Sequence, residues 1–135
     1  MGCLRYLVVA AAMVCAGDSI AQSDFDGPPI NYPTAPSNDA IEILRAEIES
    51  GTRQLHWDEK GGWLSSILKA LDVPVSSQTL VFSKTSLQIS RITPSRPRAL
   101  YFNDEVYVGW VQEGDVVELS AVDAEIGPVF YTLSQ

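Results

Sequence analysis

The sequence predicts an α+β fold, in which a mainly antiparallel β-sheet is covered on one face by two helices. The C-terminal third carries apolar runs at even spacing, and short turn sequences separate them. Two segments with the apolar spacing of amphipathic helices precede these runs. Runs joined by short turns are typical of a meander, here of about four strands. The two helices would then bury their apolar side chains on one face of that sheet.

The first 21 residues are expected to be a secretory signal peptide. A short positive region with Arg5 precedes an apolar core over residues 6–16, and Ser19 and Ala21 are small residues of the kind found before a cleavage site. The core is shorter than the ~20 residues that cross a bilayer, so no stable membrane span is expected after cleavage. With cleavage predicted after Ala21, the mature protein is expected to be periplasmic or secreted.

The positions of the cysteines and the net charge argue against several classes of function. Cleavage would remove Cys3 and Cys15, so the mature chain is expected to have no disulfide and no thiolate metal site. The net charge is -8 and cleavage leaves it unchanged, because the leader contains one Arg and one Asp. An acidic chain is poorly suited to nucleic acid, since binding phosphates needs clustered Lys and Arg.

Residues 22–37 are rich in proline and predict an extended linker, followed by a single domain over residues 38–135. A first helix is predicted from Asp39 to Gly51, with Ser37 or Asn38 as its N-cap. Its apolar residues at helical spacing are Ile41, Leu44 and Ile48. A second, well-buried helix is predicted over residues 63–71, and Pro74 lies just beyond it.

Residues 52–57 and 79–82 are predicted to be short strands, with an irregular edge over 83–92 between them and the meander. Alternation along the second meander strand places Val108 and Trp110 on one face and Tyr107 on the other. Trp63 and Phe102 are expected in the core. Because two strands are apolar on both sides, the face away from the helices is expected to meet the linker or a missing part of the protein.

His56 is the single histidine, and the acidic residues Asp58 and Glu59 follow it closely. A metal site needs several nitrogen or carboxylate ligands that converge in space, so we favour a histidine at a strand end beside a solvated turn. The functional alternative is an axial ligand to a haem carried elsewhere. No metal ligand is predicted in this chain.

The sequence offers little support for catalysis. Ser83 and Lys84 suggest a Ser–Lys hydrolase, but adjacent residues of a strand point to opposite faces and would not meet. The chain has no nucleophile elbow, no phosphate-binding glycine loop and no metalloprotease helix signature. No catalytic residue is therefore predicted and the protein is not expected to be an enzyme, with a hydrolase fragment as the least favoured alternative.

Three arginines in an acidic protein are candidate partner contacts. Arg91, Arg96 and Arg98 form a local positive cluster, and Trp110 is the aromatic residue assigned with them. The guanidinium group binds carboxylates and phosphates well. We favour ordinary pairing with acidic residues of the same domain, namely Asp104, Glu105 or Glu118. An anion contact to a ligand or to a second domain is the alternative.

A resemblance extends over most of the mature chain. The segments LDVPVSSQTLVFSKTSLQ, RITPSRPRALYFNDEVYVGWVQEGDVVELSAVD and GPVFYTLSQ resemble the N-terminal region of exported bacterial proteins described as c-type cytochrome domain-containing. In that family the chain continues into a C-x-x-C-H haem-attachment motif, which this sequence does not contain. The resemblance thus implies haem c for longer family members and no cofactor here, and it suggests a truncated or divergent member or part of a split gene.

The function expected from this resemblance is that of a non-catalytic exported module that packs beside a c-type haem domain or a downstream polypeptide in electron transfer. The alternative class is an autonomous domain that binds a small ligand or a glycan on the exposed sheet face.

Overall fold

The computed structural model describes residues 27–29, 31–32, 34–82 and 85–135. This part of the chain has two α-helices and a five-stranded sheet. The helices are Ala40–Glu49 (α1) and Leu64–Ala70 (α2), and the strands are Thr79–Val81 (β1), Arg98–Phe102 (β2), Val106–Val111 (β3), Val116–Asp123 (β4) and Gly127–Ser134 (β5). The predicted α+β class is confirmed. The predicted signal peptide lies outside the described residues, as does the Ser83–Lys84 pair.

The sheet is a meander in which each strand pairs antiparallel with the next, in the order β1 to β5. The prediction of about four strands is one strand short, because β1 joins the same sheet by pairing with β2. Short hairpin turns explain the simple order from β2 onward. None of the helices in the described ranges is both long and apolar enough to cross a membrane.

Helix α1 begins at a different cap from the one predicted. Asp39, rather than Ser37 or Asn38, accepts from the backbone N–H groups of Ile41 (2.8 Å) and Glu42 (3.1 Å). A carboxylate at this position satisfies donors that have no partner inside the helix. The helix ends as predicted before Gly51, which has a φ of 76°, a conformation that glycine adopts without strain.

Helix α2 matches the predicted segment, but the strand predicted over residues 52–57 is absent. In the structure these residues are an irregular connection between the two helices. The backbone N–H of His56 donates to Ser66 Oγ (3.0 Å) instead of to a neighbouring strand. Asp58 and Gly62 form a one-residue bridge across the turn that follows. The prediction failed because none of the five strands in the described ranges lies beside these residues to pair with them.

The core lies between the helices and one face of the sheet, which we call the inner face. Its strand residues are in register across the sheet: Tyr101 is opposite Val108, and Val108 is opposite Leu119. These side chains and those of the helices form a single buried cluster that includes Ile41, Leu44, Leu64, Ile67, Leu68, Ala99, Tyr101, Val106, Val108, Val117, Leu119 and Ala121. The fixed register aligns the apolar alternation of neighbouring strands and so makes this core continuous.

The opposite side of the sheet, the outer face, carries the alternate residues of each strand. Phe102 belongs to it and is 39% exposed, so its predicted place in the core is wrong. The prediction failed because Phe102 is one residue beyond the buried Tyr101, and adjacent residues of a strand point to opposite faces. Trp63, the other aromatic residue assigned to the core, packs against the core cluster while partly buried.

Candidate functional site

The connection between β1 and β2 is tied to the outer face at β4. Ser86 Oγ and the backbone N–H of Leu87 both donate to Glu118 Oε1, at 2.7 Å and 2.8 Å. The side-chain amide of Gln88 donates to the carbonyl of Val116 (2.9 Å), while its oxygen accepts from the N–H of Asp115 (2.8 Å). These bonds fix the segment predicted as an irregular edge, so that it borders the outer face.

A buried ion pair lies at the centre of the outer face. Arg98 on β2 reaches over β3 to Glu118 on β4, and their side chains are only 15% and 9% exposed. A Cβ at Gly109 would lie 2.6 Å from the guanidinium nitrogen of Arg98, so glycine on β3 leaves the space through which the arginine passes. The Nε of Arg98 is buried and has no hydrogen-bond partner within the described ranges.

Apolar side chains surround this ion pair and form a groove with a volume of about 670 Å³. Its walls include Leu87 from the β1–β2 connection, Leu100 from β2, Tyr107 from β3 and Phe130 from β5, and its floor includes Arg98, Gly109 and Glu118. A volume of this size falls in the range of small-molecule sites. The groove therefore combines an apolar wall with one fixed charge pair.

Several large apolar side chains on the outer face are exposed, and two of them, Leu87 and Phe130, are walls of the groove. Leu87 is 76% exposed, Phe130 74% and Val122 64%. Tyr107 is half exposed and stacks on Phe102, with ring centroids 5.7 Å apart. Large exposed apolar side chains that lie close together commonly mark interaction sites.

The three arginines predicted as partner contacts are each paired within the domain. Arg98 binds Glu118, as the favoured interpretation expected. Arg91 forms two bonds with Asp115 (2.9 and 2.6 Å), and Arg96 binds Glu113 at 2.6 Å. The proposed pairs with Asp104 and Glu105 are wrong, because the β3–β4 turn lies nearer in space to these arginines than the β2–β3 turn does. Whether the arginines also contact a partner remains a prediction.

Trp110 does not lie with the arginines. It is opposite Ala99 on the inner face, where it packs half-buried against the core cluster. Its indole Nε1 is buried without a hydrogen-bond partner among the residues the structure describes. A partner contact that joins Arg98 and Trp110 would have to involve both faces of the sheet, so we separate Trp110 from the arginine cluster.

His56, the candidate axial ligand, lies in the exposed connection between the helices. No group of three or more His, Cys, Asp or Glu side chains that could hold a metal ion occurs within the described part of the chain. The axial-ligand role stays a prediction about a haem held by another polypeptide.

A polar cluster that the sequence did not reveal joins the start of α1 to the end of the sheet. Asp39 Oδ2 accepts from Ser37 Oγ and from the hydroxyl of Tyr131 on β5, both at 2.6 Å. Asp123 at the end of β4 accepts from the backbone N–H groups of Asn38 (2.8 Å) and Glu125 (2.8 Å). Since the contributing residues are up to 94 positions apart, local sequence patterns carry no signal for this cluster.

The cluster shifts the pKa values of its members in opposite directions. Burial raises the pKa of Asp39, but hydrogen bonds from Ser37, Tyr131 and two backbone N–H groups together lower it below its usual value. Burial, with the hydrogen bond to Asp39, raises the pKa of Tyr131 to about 12. The pKa of Asp123 is lowered, first of all by the N–H of Asn38. These bonds account for the cluster as an anchor between α1, β4 and β5.

No protein-family model, curated protein or solved structure matches this chain. The fold and the site define it as a small α+β domain with a buried inner sheet face and an apolar outer face around a buried ion pair. Function is inferred from that outer face.

Proposed function

We propose that the protein is a non-catalytic exported binding module that docks a partner polypeptide on its outer face. The observation that carries the proposal is the exposure of large apolar side chains on and beside the outer face, above all Phe130 and Leu87. Leaving such side chains in water is unfavourable, and a partner that covers them removes apolar area at about 25 cal/mol per Å². The two helices serve as the cover of the inner face and leave the outer face for the partner.

The buried ion pair supports binding rather than catalysis. Glu118 Oε1 already accepts two hydrogen bonds and Oε2 faces Arg98, so the carboxylate is poorly placed to act as a general base. A charge pair held in this way keeps the β1–β2 connection fixed against β4. The floor of the outer face is then rigid, which reduces the entropy that binding a partner costs.

The partner we favour is a c-type haem domain, as the resemblance implies, with the module in an electron-transfer setting. Complexes of electron-transfer proteins are small and short-lived, and an apolar centre with charged residues at its rim suits them. Arg91 and Arg96, at 39% and 35% exposure, would belong to that rim. The acidic balance of the chain also favours association with a basic partner surface through long-range attraction.

The test is an NMR titration of the isotopically labelled mature protein with a purified c-type cytochrome. We expect the amide shifts to change for outer-face residues such as Tyr107 and Phe130. The variant Leu87→Asp should weaken binding at least tenfold. The matched control Ile43→Asp places the same charge at a half-exposed apolar position on α1 and should bind like the wild type. Equal effects of the two variants, or shifts confined to the helices, would contradict the proposal.

The groove favours a second candidate, an autonomous domain that binds a small ligand or a glycan. The groove has an apolar wall and a fixed charge pair in its floor, and a neutral ligand with an apolar body would fit it. Nile red, a neutral apolar dye with a carbonyl group, is a suitable probe. Saturable fluorescence that Phe130→Ala weakens, together with no response to the cytochrome, would favour this candidate over the first.

A further inference from the structure

Four residues on the outer face form a row across the sheet. Phe102 on β2 is opposite Tyr107 on β3. Tyr107 is opposite Ser120 on β4, which is in turn opposite Phe130 on β5. Directly opposite residues of an antiparallel pair point to the same face and stand close together. Because Ser120 is the one small member of an otherwise aromatic row, the row has a gap over Ser120 with a ring on each side.

The ring of Tyr107 presents one of its faces to this gap. It stacks on Phe102 with ring centroids 5.7 Å apart and planes inclined by 27°. A ring stacked on its neighbour on one side presents its opposite face to the strand on the other side, which here is β4. Tyr107 is 50% exposed and Phe130 is 74% exposed, and both border the groove together with Ser120. The two rings are therefore open to a group that enters the gap.

The width of the gap follows from the spacing of the strands. Neighbouring strands lie about 4.7–4.9 Å apart, so the backbones that carry Tyr107 and Phe130, two strands apart, are separated by about 9.5 Å. A flat group held midway lies about 5 Å from each ring, within the roughly 6 Å at which a cation is attracted to an aromatic face. The gap has room for one planar group between two rings.

The charges around the gap favour a cationic group. The face of an aromatic ring is the negative part of its quadrupole, and here two such rings flank one space. Asp104 and Glu105 are exposed in the turn just before β3 and form no ion pair within the described ranges. Arg98, the cation in the floor of the groove, is neutralised by its pair with Glu118. The chain as a whole carries -8, which adds to the attraction of a cation.

We propose that this gap, the aromatic slot formed by Tyr107, Ser120 and Phe130, binds the guanidinium group of an arginine side chain on the docked partner polypeptide. Guanidinium is planar and cationic, and it stacks on aromatic faces while the N–H groups at its edge stay free to donate. The hydroxyl of Ser120, at the base of the slot, can accept from one of them. The inference rests on the proposed docking function, since the arginine belongs to the partner.

The test is an NMR titration of the mature protein with Nα-acetyl-arginine amide. We expect weak, saturable binding with upfield shifts of the arginine side-chain protons, because protons held over the face of a ring are shielded. Two matched probes separate charge from shape. Nα-acetyl-citrulline amide is planar and neutral, and Nα-acetyl-lysine amide is charged but not planar. Both should bind at least about fivefold more weakly than the arginine amide.

Variants of the slot give the second arm of the test. Ser120→Leu fills the slot while adding apolar surface to the outer face, and Phe130→Leu removes one ring. Each should weaken binding of the arginine amide at least about fivefold and reduce the upfield shifts. Phe82→Leu is the matched control, because Phe82 is a 60% exposed ring outside the row. Phe130→Leu answers the question if Ser120→Leu fails to fold, as judged by circular dichroism.

Equal binding of the arginine and citrulline amides would overturn the inference, as would folded slot variants that bind the arginine amide like the wild type. The cytochrome titration separates this inference from the docking function. If the cytochrome binds the wild type and Ser120→Leu equally while Leu87→Asp weakens binding, docking stands and the slot is refuted. If the arginine amide binds with the expected shifts but the cytochrome does not bind, the slot stands and the proposed partner is wrong.

Discussion

Replacing Glu118 by Gln is the sharpest test of how the outer face is built. Gln is nearly the same size and keeps an oxygen that accepts from Ser86 and Leu87. It removes the charge that faces Arg98, whose side chain is only 15% exposed. The guanidinium then has a buried charge without a counter-charge. The substitution therefore separates the ion pair from the hydrogen bonds around it.

The expected loss follows from burial. Removing one partner of a buried ion pair costs about 3–5 kcal/mol, and the remaining exposure of Arg98 allows some rehydration, which places the loss at about 2–4 kcal/mol. The matched control is Glu113→Gln, which breaks the exposed pair with Arg96 and should cost less than about 1 kcal/mol. The free energy of unfolding of a domain of this size is roughly 5–15 kcal/mol, so the difference between the two variants is a large part of the total stability.

The free energy of unfolding can be measured by urea denaturation followed by tryptophan fluorescence. Adding Arg98→Met to Glu118→Gln should recover much of the loss, because an apolar side chain then replaces the unpaired charge. Equal losses for Glu118→Gln and Glu113→Gln would refute the reasoning. The reasoning would also be refuted if the double variant lost more stability than the sum of the two single losses.

Three further outcomes are expected. Gly109→Ala should cost about 1–3 kcal/mol in the same urea assay, because its Cβ displaces the Arg98 guanidinium, and most of that cost should disappear in an Arg98→Met background. The pKa of Tyr131 in the folded protein is about 12, against an ordinary value of 10.0. The contribution of its hydroxyl to folding stability is therefore complete below pH 10 and is lost as the pH rises toward 12. Tyr131→Phe should reduce this loss of stability at high pH, and an unchanged dependence of stability on pH would contradict the prediction. The pKa of Asp39 in the folded protein lies below 3.8, so the contribution of its carboxylate to folding stability is complete above pH 3.8 and is lost as the pH falls through the folded pKa. Asp39→Asn should make thermal unfolding less sensitive to acid. An unchanged sensitivity to acid would mean that other carboxylates cause it.

Much of the fold follows from local patterns. Apolar spacing identified both helices, and alternation separated Val108 from Tyr107. The strand at 79–81 was also recognised from its residues, although not as part of the same sheet. The strand predicted over residues 52–57 was wrong, because alternation describes a fit to a neighbouring strand and cannot supply that neighbour.

The candidate site was much harder to predict from the sequence. Glu118 was named as one of three partners for the arginines, but nothing local distinguished it from Asp104 or Glu105. Gly109 within an apolar strand is the signal that was available, since an isolated glycine there suggests a close approach by another group. Which group approaches depends on the alignment of three strands.

The sequence by itself determined the α+β class, the helix positions, the acidic balance and the alternation of each meander strand, because these depend on neighbours along the chain. The tertiary structure alone decided that Arg98 passes over Gly109 to Glu118, that Asp39 joins Tyr131, and that Phe130 lies exposed on the outer face. These contacts depend on strand register and on the path of the β1–β2 connection. A shift of one residue in register would exchange the two faces while leaving every local pattern unchanged.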